Sequence, residues 1–137
     1  MEDVNGTLPV APSPVRVLVV DDDAAVGLAI RHVLKPLQVT FAQSAAGALA
    51  RVAAGGNFEA IVCDLNMPGM SGLHFHDEVA RIAPDLAQRI VFITGGASPQ
   101  AAALLRSMPN ACVQKPFTRE ALRSAVSAAA QRRAARR

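Results

Sequence analysis

Apolar residues in this chain fall into short unbroken runs, and between the runs they recur every three or four positions. The run "VRVLVV" (15–20) has the length and β-branched content of a buried strand, and it stops abruptly at Asp21, Asp22 and Asp23. Residues 24–36 then place Val26, Ala29, Ile30, Val33 and Leu34 at helical spacing, with Pro36 as the stop. The alternation continues. "QVTFA" (38–42) reads as a strand, and 44–56 as an Ala-rich helix ended by Gly55-Gly56. "AIVC" (60–63) is a strand, and a helix through "LHFHDEVARI" (73–82) is closed by Pro84. "RIVFIT" (89–94) is a strand, and 99–108 a helix with Pro99 at its first position. "ACVQ" (111–114) is the last strand, and Thr118 opens a final helix.

Five strand–helix units in a row predict an α/β fold. Continuously apolar strands predict a parallel sheet covered on both faces, and right-handed crossovers make it an open, doubly wound one. The order 2-1-3-4-5 of a flavodoxin-like (βα)5 sheet would make the first and third strands neighbours at the switch point. One domain is expected over 15–130, after a disordered leader (1–14) and before a basic tail (131–137) ending the last helix.

Composition narrows this further. The chain has 137 residues, is 51% hydrophobic, and has no Trp or Tyr, so its core is aliphatic with a few Phe. The apolar runs are too short to span a bilayer. The acidic, Pro-rich start lacks the basic and apolar regions of a secretory signal, and a cytoplasmic location is expected. Cys63 and Cys112 both lie in apolar strands and read as free, buried thiols, a disulfide being the minor alternative. The net charge of +3 comes from Arg132, Arg133, Arg136 and Arg137; without them it is −1. The body has no basic stripe interleaved with aromatics, so the charge does not indicate a nucleic-acid surface.

Candidate chemistry lies at the strand ends. Asp21 and Asp22 follow the first strand, Asp64 the third, Thr94 ends the fourth, and Lys115-Pro116 follows the fifth. In the order given above the three carboxylates converge and call for a cation, and oxygen ligands favour a hard one such as Mg²⁺. Lys115 can pair with a phosphoryl group, Thr94 can donate to it, and Gly95 and Gly96 leave room beside it. The set suits phosphoryl transfer to a carboxylate. Asp23 is placed to cap the first helix.

"VLVVDDD", "AIVCDLNMPGMSG", "IVFITGG" and "QKPF", in this order and spacing, resemble the receiver domain of two-component response regulators. The stretch 92–117 is most similar to receivers attached to or serving hybrid histidine kinases. The resemblance implies that Asp64 is the phosphoacceptor, taking a phosphoryl group from a sensor histidine kinase or histidine phosphotransfer protein. It implies Mg²⁺ (or Mn²⁺) held directly by Asp22, Asp64 and the backbone carbonyl of Asn66, and through water by Asp21. Thr94, Gly95 and Lys115 would surround the phosphoryl group, with a cis bond before Pro116. Pro68, Gly69 and Gly72 would shape the loop after Asp64, and Asn66 and Gly96 would influence phosphoryl lifetime. Output is expected through the face made by the fourth predicted helix, the fifth strand and the fifth helix, to a downstream protein. The alternative is a phosphorelay shuttle or sink. The chain is expected to be a monomer or weak dimer, with no DNA-binding domain and no membrane association. Its only catalysis would be of its own phosphorylation and dephosphorylation.

Cys112 departs from the pattern: the family usually has Tyr or Phe there, which swings inward on switching. Pro109-Asn110 stands where a Gly-Ala pair is usual. These differences leave a weakly switching, receiver-like scaffold as one alternative. A phosphohydrolase of the haloacid dehalogenase type is another, since Asp21 and Asp23 imitate its Asp-x-Asp. Against it, Ala25 replaces the usual Thr or Val, and "CDLNMPGMSG" goes unexplained. His32, His74 and His76 read as solvated helix residues, Met67 and Met70 as packing, 101–105 as mostly core, and the basic tail as a solvated helix end.

Overall fold

The computed structural model describes residues 15–135, the side chains of 133–135 excepted. The leader expected over 1–14 and the distal tail arginines Arg136 and Arg137 lie outside the described residues, as does the side chain of Arg133. The strands are β1 (Arg16–Val20), β2 (Gln38–Ala42), β3 (Ala60–Asp64), β4 (Ile90–Thr94) and β5 (Cys112–Gln114). The helices are α1 (Ala24–Leu34), α2 (Ala45–Ala53), α3 (Gly72–Ile82), α4 (Pro84–Ala87), α5 (Pro99–Arg106) and α6 (Arg119–Ala135).

All pairings are parallel, and the sheet order is β2-β1-β3-β4-β5. Successive side chains on a strand point to opposite faces, so each central strand feeds two cores. Leu18, Val20, Ile61, Cys63, Ile90 and Phe92 meet α2, α3 and α4 on one face. Val17, Val19, Val62, Val91 and Ile93 meet Ile30 and Leu34 of α1 and Leu122 and Val126 of α6 on the other. Asp23 caps α1 by accepting from Ala25 N at 2.9 Å. Ser44, Ser71, Ser98 and Thr118 cap α2, α3, α5 and α6 in the same way. Among the described residues no helix is long and apolar enough to cross a membrane.

Several expectations need correction. Pro84 does end α3, but it also opens the single-turn α4, where a missing N–H costs nothing and Leu86 and Ala87 become buried. Cys63 is buried but Cys112 is exposed, because β5 is a three-residue edge strand. Phe92 is the register partner of both cysteines, on opposite sides. They are therefore two strand spacings apart, roughly 9–10 Å, too far for a disulfide, and both are free. The stretch 101–105 is not core. No residue of α5 is buried, and Leu104 is 55% exposed while Ala101 and Leu105 only lean on the sheet. His32 and His74 are exposed, but the His76 side chain is 19% exposed and its ring lies 6.1 Å from that of Phe92. Arg132 is not a solvated tail residue: it donates to the main-chain carbonyls of Gln88 (2.6 Å) and Pro109, fastening α6 to the turns before β4 and β5. Asn110 is buried and donates to the carbonyls of Ala87 (2.9 Å) and Ile90 (2.8 Å).

Candidate functional site

The carboxyl ends of β1, β3 and β4 deliver polar side chains to one edge of an otherwise apolar sheet. Asp21 follows β1 and is 1% exposed, Asp64 ends β3 at 6%, and Thr94 ends β4 at 4%. Because β1 and β3 pair directly, carboxylate oxygens of Asp21, Asp22 and Asp64 come within 4.8 Å of one another. Lys115, just past β5, sets its Nζ 3.6 Å from Asp64 Oδ2 and 3.8 Å from Asp21 Oδ2. Its backbone N–H donates to the Thr94 carbonyl at 2.8 Å, which places the lysine beside β4. The Lys115–Pro116 peptide is cis.

Local hydrogen bonds orient the acids. Asp21 Oδ1 accepts from Asp23 N at 2.8 Å, and Asp64 Oδ1 accepts from Asn66 N at 3.2 Å. Asp21 Oδ2 is buried with no hydrogen-bond partner. Burial is the largest influence on the Asp21 carboxyl and raises its pKa above the ordinary value. The Asp23 N–H opposes this, Asp64 adds to it, Lys115 opposes it and Asp22 adds to it. Three carboxylates against one ammonium leave excess negative charge in a poorly solvated place. The orphaned Asp21 oxygen and the all-oxygen donor set fit a hard divalent cation.

Thr94 Oγ1 accepts from Gly96 N at 2.9 Å, which leaves the hydroxyl proton available to a ligand. A Cβ on Gly95 would meet nothing within 4 Å, so the space beside Thr94 is open. Gly72 has the reverse reason for being glycine. A Cβ there would lie 2.7 Å from the Asp64 carbonyl oxygen and 2.9 Å from Leu65 Cα, while its N–H donates to the Leu65 carbonyl at 2.8 Å. The start of α3 is thus pressed onto the end of β3, holding the segment that carries Asp64. Pro68 and Gly69 lie exposed in the intervening loop, and Met67 and Met70 pack partly against the core.

The structure therefore brings Asp21, Asp22, Asp64, Thr94 and Lys115 together. Cys112 lies on β5, level with Phe92 and two residues before the register partner of Thr94. Sequence reasoning assigned Asn66 a backbone-carbonyl role and an influence on phosphoryl lifetime, without a contact for its side chain. Its side chain also acts, donating from Nδ2 to the Gly96 carbonyl at 3.3 Å. The available signal was a polar residue two places after a strand-end aspartate, facing a loop of two glycines.

Comparisons with known proteins bear on the family and the fold. The family described as response regulator receiver domain matches residues 17–127. A CheY-like receiver domain protein from Methanospirillum hungatei is similar in structure (TM-score 0.82) at 23% identity, over 91% of this chain and 100% of that one. The chemotaxis protein CheY4 of Vibrio cholerae is 26% identical over 85% of this chain and 99% of its own, with a TM-score of 0.73. A response regulator receiver protein from Sinorhizobium medicae is 27% identical over 88% and 97%, with a TM-score of 0.76. No curated protein matches the chain.

Proposed function

This chain belongs to the response regulator receiver domain family, and on that premise we propose that Asp64 accepts a phosphoryl group from a phosphohistidine donor. The observation that supports this most directly is the Lys115 ammonium 3.6 Å from Asp64 Oδ2, beside a cluster of three carboxylates, with Thr94 ending the neighbouring strand. Receivers are signalling domains rather than enzymes acting on free substrates, and their partners are histidine kinases or phosphotransfer proteins.

In the proposed step an Asp64 carboxylate oxygen forms a bond to phosphorus as the phosphorus–nitrogen bond of phosphohistidine breaks. The electron pair stays on the imidazole, which then takes a proton from solvent. Asp22, Asp64 and the Asn66 carbonyl would hold Mg²⁺ (or Mn²⁺) directly, and Asp21 would hold it through water. When bound, the metal offsets the charge that develops on the phosphoryl oxygens. Lys115 supplies a second positive charge, released from its bridging of Asp21 and Asp64. Thr94 turns its hydroxyl to donate to a phosphoryl oxygen in the open space beside Gly95.

That turn shifts an existing equilibrium and alters the face made by α5, β5 and α6, to which a downstream protein would bind in the cytoplasm. The exposed Cys112 favours a second form of this reading. A thiol cannot make the large inward swing of an aromatic ring, so output through β5 is weak and the domain serves as a phosphorelay shuttle or sink.

The test is incubation with Mg²⁺ and acetyl phosphate, followed by intact-mass measurement. One acid-stable, base-labile phosphoryl group is expected, and none in Asp64→Asn. Labelling that persists in Asp64→Asn, or rapid turnover of a general phosphate ester, would overturn the proposal, the latter in favour of a phosphohydrolase.

A further inference from the structure

At the amino-terminal edge of the sheet, opposite the carboxylate cluster, a groove of about 610 Å³ lies between the end of α1 and α6. Val15, Leu34, Leu37, Val126 and Ala130 give it an apolar lining, and Val15, Leu37 and Ala130 are only half-buried. Arg123 also lines it, and donates to the carbonyls of Val33 and Lys35 at 2.8 Å, which fixes α6 against the end of α1. From Arg123 to Gln131 the groove follows α6 for about 12 Å. Val15 extends β1: its carbonyl accepts from Gln38 N at 3.0 Å, and its side chain packs with the α1–α6 core. The residues that precede Val15 therefore join the fold at the groove itself.

We propose that the stretch Leu8-Pro9-Val10-Ala11-Pro12 occupies this groove and straps α6 to α1. Only Ser13 and Pro14 separate it from Val15. Extended at about 3.1 Å per residue, its five residues span about 12–15 Å, which matches the groove. The stretch has no charge to desolvate, and Pro9 and Pro12 bring no N–H that burial would leave unpaired. Their fixed φ also lowers the entropy lost on docking. Ser124, Ser127 and Gln131 line the groove and are able to donate to, or accept from, the remaining main-chain groups. A second cavity, of about 700 Å³ on the α2–α3 face, is lined by Asp85 and Arg89 among others, and Val15 does not reach it. An uncharged segment tethered at Val15 is thereby directed to the α1–α6 side. The strap is independent of the phosphoacceptor reading, because it lies at the other edge of the sheet.

The test attaches a nitroxide at Thr7→Cys in a Cys112→Ser background, with Cys63 buried, and records the amide NMR signals of the full chain. Broadening is expected at Leu37, Ser127 and Ala130. Covering one apolar side chain corresponds to about a tenfold gain in docked population. Leu8→Asp combined with Val10→Asp should therefore remove most of the broadening at all three. Ser127→Glu, at an exposed position of α6, charges the groove and should do the same at Leu37 and Ala130. Absence of broadening at these residues, or broadening that persists in either variant, overturns the proposal. So does broadening centred on Val52, Phe58 and Leu86, which line the second cavity. Isotope-labelled chains mixed with separate nitroxide-bearing chains give the last control. Broadening at the groove in that mixture means that a second copy supplies the segment, and overturns the strap within one chain.

Discussion

Asp21 is the residue at which site chemistry and folding stability oppose each other most directly. At an effective dielectric of about 20, Asp22 and Asp64, each within 4.8 Å, repel the Asp21 carboxylate by about 3 kcal/mol apiece, and the Lys115 contact at 3.8 Å attracts it by about 4 kcal/mol. Lys115 is 30% exposed, so solvent screens its share further. Repulsion outweighs attraction, and the desolvation of a carboxylate that is 1% exposed, with one oxygen lacking a hydrogen bond, is offset mainly by the single N–H of Asp23. Asp21→Asn removes the charge and keeps an oxygen to accept from Asp23 N. In EDTA at pH 7 it is expected to be more stable than the unmodified protein by about 1–2 kcal/mol, a rise in Tm of roughly 3–8 °C. The pH dependence is diagnostic. The folded-state pKa of Asp21 lies above its unfolded value of 3.8, so the cost is absent below that value and develops as pH rises through the folded pKa. The advantage of Asp21→Asn should therefore shrink toward zero as pH falls to the unfolded value. Mg²⁺ at a hundredfold excess over Kd should stabilise the unmodified protein by about 2.7 kcal/mol, for a site that binds only the folded state, and the variant by less. Urea denaturation at several pH values, with and without Mg²⁺, provides the measurement. A variant no more stable than the unmodified protein in EDTA, or an advantage independent of pH, would refute the reasoning.

Gly72→Ala pushes a Cβ into the Asp64 carbonyl and Leu65 Cα, both backbone, and should cost about 1–3 kcal/mol while slowing labelling of Asp64. Unchanged stability and labelling would mean that α3 yields without moving the end of β3. Asn110→Ala leaves two inward carbonyls without their side-chain donor and should cost about 2–4 kcal/mol in urea denaturation, with a loss below ~1 kcal/mol contradicting the buried geometry. With Ellman's reagent the native protein should react at Cys112 alone, and both of its two cysteines should react on unfolding. Although exposed, Cys112 is partly desolvated by its neighbours, which raises its pKa, so at pH 8 the native reaction should be slower than that of free cysteine and should accelerate as pH rises. Rapid modification of native Cys63 would contradict its burial.

The parallel α/β sheet could be read from local pattern because runs such as "VLVV" and "IVFI" have no polar position to turn toward water, and only a sheet covered on both faces accommodates that. The site was legible for a related reason. Asp21, Asp64 and Thr94 each interrupt an apolar strand at its carboxyl end, and parallel topology gathers all such ends on one edge. What no local pattern could supply was the closeness of packing around each element. The Ala-rich stretch 101–105 and the apolar neighbourhood of Cys112 looked buried, yet α5 and the edge strand β5 are only lightly covered. Asn110, Arg132 and the Asn66 amide looked like turn, tail and loop residues, yet each reaches main-chain carbonyls 20 to 44 positions away. Such bonds depend on where two distant backbones come to rest, and hydropathy and spacing within a window of a dozen residues hold no record of that.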